Sequence, residues 1–107
     1  MAESQLRRGI VELAVMGTLR NHQAYGGALI TLLKEQAGLE VSEGTLYPLL
    51  TRMHKSGLVK TKWEPSPAGP PRKIYSLTAK GIDRLNHLYS EWQDLAHAID
   101  LIMKGHQ

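Results

Sequence analysis

With 107 residues, 42% of them apolar, the chain can build one domain around one modest core and has no room for a second. The absence of cysteine excludes disulfides and thiolate metal sites, and no apolar stretch approaches the roughly 20 residues needed to cross a bilayer. The net charge of +3 is small, so the placement of charge says more than its sum: residues 42–77 hold six Lys and Arg (52, 55, 60, 62, 72, 73) against two acids, whereas residues 78–107 hold three against four.

From Leu6 to Leu19, the residues Leu6, Ile10, Leu13, Ala14 and Met16 give a first helix a broad apolar face, with Ser4 placed to cap it and an end near Thr18–Asn21. A second helix opens at Tyr25-Gly26-Gly27, carries Leu29, Ile30, Leu32 and Leu33, and closes at Ala37-Gly38, where glycine suits the left-handed position after a helix. After a short turn, Ser42 is placed to cap a third helix. Leu46, Leu49, Leu50 and Met53 recur there at i, i+3, i+4 and i+7, and Thr45, Pro48, Arg52 and Lys55 share the opposite side. Pro48 removes one backbone donor and crowds the carbonyl of Gly44, which predicts an irregular or bent first turn and not a broken helix. Two helices, a glycine turn and a further helix make a helix-turn-helix unit.

Gly57 stops the third helix. Leu58 to Glu64 then alternates, with Val59, Thr61 and Trp63 on one side and Lys60, Lys62 and Glu64 on the other. Four of the five prolines fall between Pro65 and Pro71, a stretch expected to admit neither helix nor central strand and to form a stiff tip. Arg72 to Leu77 resumes strand character. The pair reads as the wing of a winged helix-turn-helix, or as an ordinary exposed hairpin; Lys60 and Lys62 read as solvated edge-strand charges. Thr78 can cap a last helix in which Leu85, Leu88, Trp92, Leu95, Ile99 and Ile102 alternate spacings of 3 and 4, widened by Tyr89, Ala96 and Met103. That stripe is expected to face a second copy of the chain through Leu85, Leu88, Tyr89, Trp92, Leu95, Ala96, Ile99 and Ile102; the alternative is that it folds back on the first helix.

The fold expected is therefore mainly α with a small β-hairpin: a winged helix-turn-helix over residues 1–77 and a dimerisation helix over 78–107, in one compact unit. Arg8-Gly9 with Glu12-Leu13, Tyr25-Gly26, the stretch from Ser42 to Leu50, Gly57-Leu58-Val59, and Arg72 to Thr78 with Lys80-Gly81 together resemble the PadR family of bacterial transcriptional regulators. Glu43-Gly44-Thr45-Leu46-Tyr47-Pro48 is the specific part, and the single short last helix resembles the compact subgroup. The resemblance implies a homodimer on an inverted-repeat operator in double-stranded DNA, usually a repressor released by a small molecule, joined through its last helix. In compact members that bind drugs, an aromatic residue midway along that helix lines a pore at the dimer interface; Trp92, followed by Asp94 and Asp100, occupies a comparable place.

Within that frame Thr45, Tyr47 and Pro48 are the expected contacts to bases or thymine methyls. Ser42, if its hydroxyl is free of capping, and Tyr25 would bind phosphates, Arg52 a guanine edge or the backbone, and Lys55, Arg72 and Lys73 phosphates. Each has a plainer alternative: Tyr47 as a core ring, Tyr25 packed under the helix-turn-helix, Arg52 and Lys55 as solvated charges. Trp92 is either dimer core or a platform on which two indoles sandwich a small planar aromatic effector, with nearby carboxylates favouring a cation. The five histidines lack the i, i+4 pairing of a helical metal site. No catalytic motif accompanies them, so no enzyme activity, cofactor or metal is expected. The chain reads as cytoplasmic, without a leader. A winged-helix module for protein contacts is the competing function.

Overall fold

A computed structural model describes residues 5–105. Its elements run α1 (Gln5–Asn21), α2 (Gly26–Ala37), α3 (Glu43–Lys55), β1 (Val59–Ser66), β2 (Gly69–Leu77) and α4 (Ala79–Lys104), so the chain is mainly helical with one antiparallel hairpin. The cap expected from Ser4 lies outside the described residues.

Val11, Val15, Met16 and Leu19 of α1, Leu29 and Leu33 of α2, and Leu46, Leu49, Leu50 and Met53 of α3 meet in a single buried cluster. Gly38, at φ 65°, ends α2: its N–H donates to Lys34 and that of Leu39 to Leu33, the left-handed closure that a side chain would resist. Ser42 begins α3, its Oγ accepting from the Thr45 N–H at 3.2 Å. Pro48 sits inside α3 without interrupting it. The N–H groups of Thr45 and Leu46 both donate to the Ser42 carbonyl, at 3.1 and 2.9 Å, so the turn before the proline mixes tight and regular bonds and the helix continues.

The wing differs from expectation in extent. Both strands run into the proline-rich segment, with Ser66 paired to Gly69 and only Pro67-Ala68 left as the turn. A two-stranded sheet has an outer edge on each strand, where a missing N–H costs no ladder bond, and Pro65 is absorbed as a register irregularity between Glu64 and Ser66. At the base of the wing, Ala24 and Tyr75 exchange N–H···O bonds of 3.1 and 2.8 Å. This one-residue third strand ties the wing to the α1–α2 loop.

The β2–α4 junction is a tight clamp. Thr78 Oγ1 accepts from the Gly81 N–H at 3.0 Å, capping α4, and donates to the Gly57 carbonyl at 2.6 Å. Lys80 Nζ donates to the Ser56 carbonyl at 2.8 Å. A Cβ on Gly81 would collide with the Leu58 carbonyl, so glycine lets α4 lie directly on the turn that leaves α3.

Along α4 the apolar stripe divides. Leu85 is 4% exposed and belongs to the core of its own chain, which corrects its expected place in a dimer interface. Leu88 is half-buried against the same core. Tyr89, Trp92, Leu95, Ile99 and Ile102 are all exposed, while Ala96 is half-buried. The radius of gyration, 15.7 Å, exceeds the roughly 13 Å of a compact chain this long, because α4, about 39 Å at 1.5 Å per residue, projects beyond the core.

Gly81→Ala is expected to destabilise the fold by about 1–3 kcal/mol, the usual range for forcing atoms into a filled site. Thermal denaturation reads this directly; an unchanged melting temperature would mean that α4 does not seat on the Leu58 carbonyl.

Candidate nucleic-acid interface

The interface follows from the rotation of α3. Leu46, Leu49, Leu50 and Met53 are at most 5% exposed, so the far side must look outward. Pro48, Arg52 and Lys55 are exposed and Thr45 half-exposed, as the spacing predicts. The basic wing follows: Arg72 and Lys73 are exposed on β2, as are Lys60 and Lys62 on β1. Lys62 is paired with Glu64 at 3.3 Å.

Two hydroxyl-bearing residues have structural duties that narrow their expected roles. The Ser42 hydroxyl is committed to the cap, since it also donates to Thr45 Oγ1 at 3.2 Å, and the condition on its binding phosphate is not met. Tyr47 is 41% exposed, yet its ring lies against α2: a Cβ at Gly26 would stand 2.5 Å from its hydroxyl oxygen. It is neither a core ring over Leu50 nor wholly free, but a half-exposed strut between α2 and α3. The hydroxyl of the neighbouring Tyr75 is raised above its usual pKa by burial and by Tyr47, and stays protonated throughout the physiological range. Tyr25, half-buried at the N-cap of α2, carries Arg72 over its ring at 4.4 Å. Lys73 lies over the Trp63 ring at 5.5 Å.

A second surface runs between α1 and α4. One groove of about 530 Å³ is lined by Ile10, Leu13, Ala14, Gly17, Arg20, Asn21, Leu85, Asn86, Tyr89 and Trp92. Another of about 550 Å³ includes Leu6, Gly9, Trp92, Leu95, Ile99, Glu91 and Asp100. Trp92 stands between them, stacked on Tyr89 at 6.2 Å and 8°. Asp94 lines neither: two residues along a helix is more than half a turn away, and it lies with Arg84 and His87 on another face. Asp100 does share a groove with Trp92 and pairs with Lys104 at 3.9 Å; Glu91, overlooked in the sequence, joins it. Among the described residues no three His, Asp or Glu side chains gather as metal ligands, and no helix is long and apolar enough to cross a membrane.

The Transcriptional regulator PadR-like family matches residues 15–87. The chain belongs to that family. Solved PadR-like structures match over nearly the whole length. A PadR-like transcription factor from Bacteroides fragilis is 44% identical, with a TM-score of 0.78 over 92% of this chain and 94% of that one. A Streptococcus transcriptional regulator is 34% identical, with a TM-score of 0.84 over 95% and 100%. A PadR-like regulator from Bacillus cereus is 32% identical, with a TM-score of 0.83 over 94% and 98%. No curated protein matches the chain.

As a PadR-like transcriptional regulator the chain acts by binding DNA, and the family's members are regulators rather than enzymes. The motif residues have physical reasons here. Within Glu-Gly-Thr-Leu-Tyr-Pro, Leu46 is buried, Thr45 receives the cap, Tyr47 props α2, and Pro48 is offered to solvent. The Tyr25-Gly26 pair belongs to the same joint, because Gly26 makes room for Tyr47.

Gly26→Ala is expected to push the Tyr47 ring aside and lower the melting temperature, and adding Tyr47→Ala should recover part of the loss. A double-mutant cycle on thermal unfolding checks the pair; additive effects would mean that the ring and glycine are not in contact.

Proposed function

We propose that two copies of this chain bind an inverted-repeat operator in the cytoplasm and repress transcription until a flat aromatic ligand enters between them. The division of labour follows the sequence: residues 1–77 contact DNA and residues 78–107 hold the dimer. The observation that carries this reading is the outward row Thr45, Pro48, Arg52 and Lys55 beside a wing bearing Arg72 and Lys73. The Thr45 hydroxyl hydrogen-bonds a base edge, the Pro48 ring packs on a thymine methyl, Tyr47 reaches the groove with its exposed edge, and Arg52 takes a guanine or a phosphate. Lys55, Arg72 and Lys73 take phosphates, with Tyr25 acting beside them.

The homodimer is supported by the apolar surface left uncovered on α4: Tyr89, Trp92, Leu95, Ile99 and Ile102, flanked by Leu6 at 76% exposure. Joined there by a two-fold axis, two α3 helices would enter major grooves roughly 34 Å apart. The stacked Tyr89–Trp92 pair supports an aromatic effector, and Glu91 and Asp100 support a cationic one. Such a ligand changes operator affinity only by preferring one arrangement of the two subunits.

Selecting duplexes from a random pool, with and without planar cationic dyes, tests the reading as a whole. The selected sites should be palindromic, and dyes that quench tryptophan emission should release them. With about three phosphates neutralised per subunit, log affinity against log salt should slope near −5 for a dimer. Ile99→Glu should give a monomer with a slope about half as steep; a variant that stays dimeric by sedimentation would remove α4 as the interface.

A further inference from the structure

We propose that Tyr25 and Trp63 are positioning residues for DNA binding. Each holds one wing cation, Arg72 or Lys73, against its ring and so presents to phosphate a charge that is fixed in place yet not neutralised. The inference rests on the DNA-binding reading above and adds to it two residues that act through their neighbours.

Adjacent residues of a strand point to opposite faces, so Arg72 and Lys73 need separate supports, and each has one. Lys73 pairs in register with Trp63, and its Nζ stands 5.5 Å from the ring centroid. Arg72 faces Glu64 in register, but the Glu64 carboxylate is taken by Lys62 at 3.3 Å. The guanidinium of Arg72 lies instead over Tyr25, 4.4 Å from its centroid. Both distances fall inside the roughly 6 Å range of cation–π attraction.

A carboxylate would restrain these side chains equally well, but phosphate would then have to displace it. An aromatic face restrains a cation through its quadrupole and leaves the net charge intact, and a guanidinium over a ring keeps its edge N–H groups for phosphate. The Tyr25 ring lies close to Gly27 and follows a residue tied to β2. A Cβ at Gly27 would stand 3.1 Å from its Cε2, and the Ala24–Tyr75 bridge fixes the preceding residue to β2, three positions from Arg72. Trp63 is 67% exposed, in a chain with no phenylalanine and two tryptophans. The lysine it holds gives that exposed ring a function.

The test uses the full chain and a fluorescent mixed-sequence duplex long enough for both subunits, because phosphate contacts do not require the operator. Affinity is followed by anisotropy across a salt series. Tyr25→Leu and Trp63→Leu should each weaken binding roughly fivefold, within the span of cation–π energies, while Tyr25→Phe and Trp63→Phe, which keep a ring, should stay within about twofold. Tyr25→Leu added to Arg72→Gln, and Trp63→Leu added to Lys73→Gln, should bind no more weakly than the arginine or lysine variant alone. Melting temperatures of the Phe variants close to that of the native chain show that the wing is intact. Tyr25→Phe binding as weakly as Tyr25→Leu would assign the phosphate contact to the hydroxyl and overturn the inference, as would additive losses in the double variants or Leu variants that bind like the native chain. Native protein with no salt-dependent affinity would remove both the inference and the DNA-binding reading beneath it.

Discussion

Burial of Leu46, Leu49, Leu50 and Met53 fixes the rotation of α3, and nearly everything the molecule offers to DNA depends on that rotation. At about 2 kcal/mol for each fully buried aliphatic side chain, rotating all four into water would cost about 8 kcal/mol, comparable with the whole stability of a small domain. The polar side is therefore exposed because the opposite side is committed, and Thr45, Pro48 and Arg52 need no stabilisation of their own to face outward. The Ser42 cap and the Tyr47–Gly26 contact then set where α3 begins and how close it lies to α2.

A second constraint propagates from the end of α3. Gly57, at φ 76°, turns the chain, and its carbonyl together with those of Ser56 and Leu58 is reached by Thr78 or Lys80. The start of α4 is thus pinned to the end of α3 through backbone oxygens, which do not vary with side-chain choice. The base of this projecting helix is thereby joined directly to the turn that leaves α3. That linkage is what a dimer-interface ligand would need in order to alter the spacing of two recognition helices.

Most of this architecture is legible in the sequence because it is periodic or capped. The 3.6-residue pattern of α3, the glycine at position 38 and the alternation from Val59 each mark an element through local chemistry alone. Less legible features depend on contacts between distant segments. The Ala24–Tyr75 bridge involves one residue with no strand signature, and the seating of Tyr47 on Gly26 joins residues 21 positions apart. The strands run through prolines because the sheet has only two members, a fact of assembly and not of local propensity. Leu85 and Trp92 lie on one heptad stripe, yet one is core and the other surface, since the body of the domain ends between them. A stripe on a helix gives a direction, and it cannot say how far along that direction the rest of the chain extends.

The candidate site follows the same rule. The residues that point outward were readable from α3, whereas the supports beneath the wing cations were not, because Tyr25 meets Arg72 only after the α1–α2 loop has paired with β2. Charge placement shows the same logic. The ion pairs Lys34–Glu40, Lys62–Glu64, Arg84–Glu12 and Lys104–Asp100 lie at the surface, with Glu12 half-buried, and are worth little to stability. The two wing cations that continue the basic surface from α3 are supported on rings instead. Exposed ion pairs leave a surface locally neutral, and ring-supported cations leave it positive. The positive charge is thereby concentrated beside the outward side of α3, although the chain as a whole carries only a small net charge.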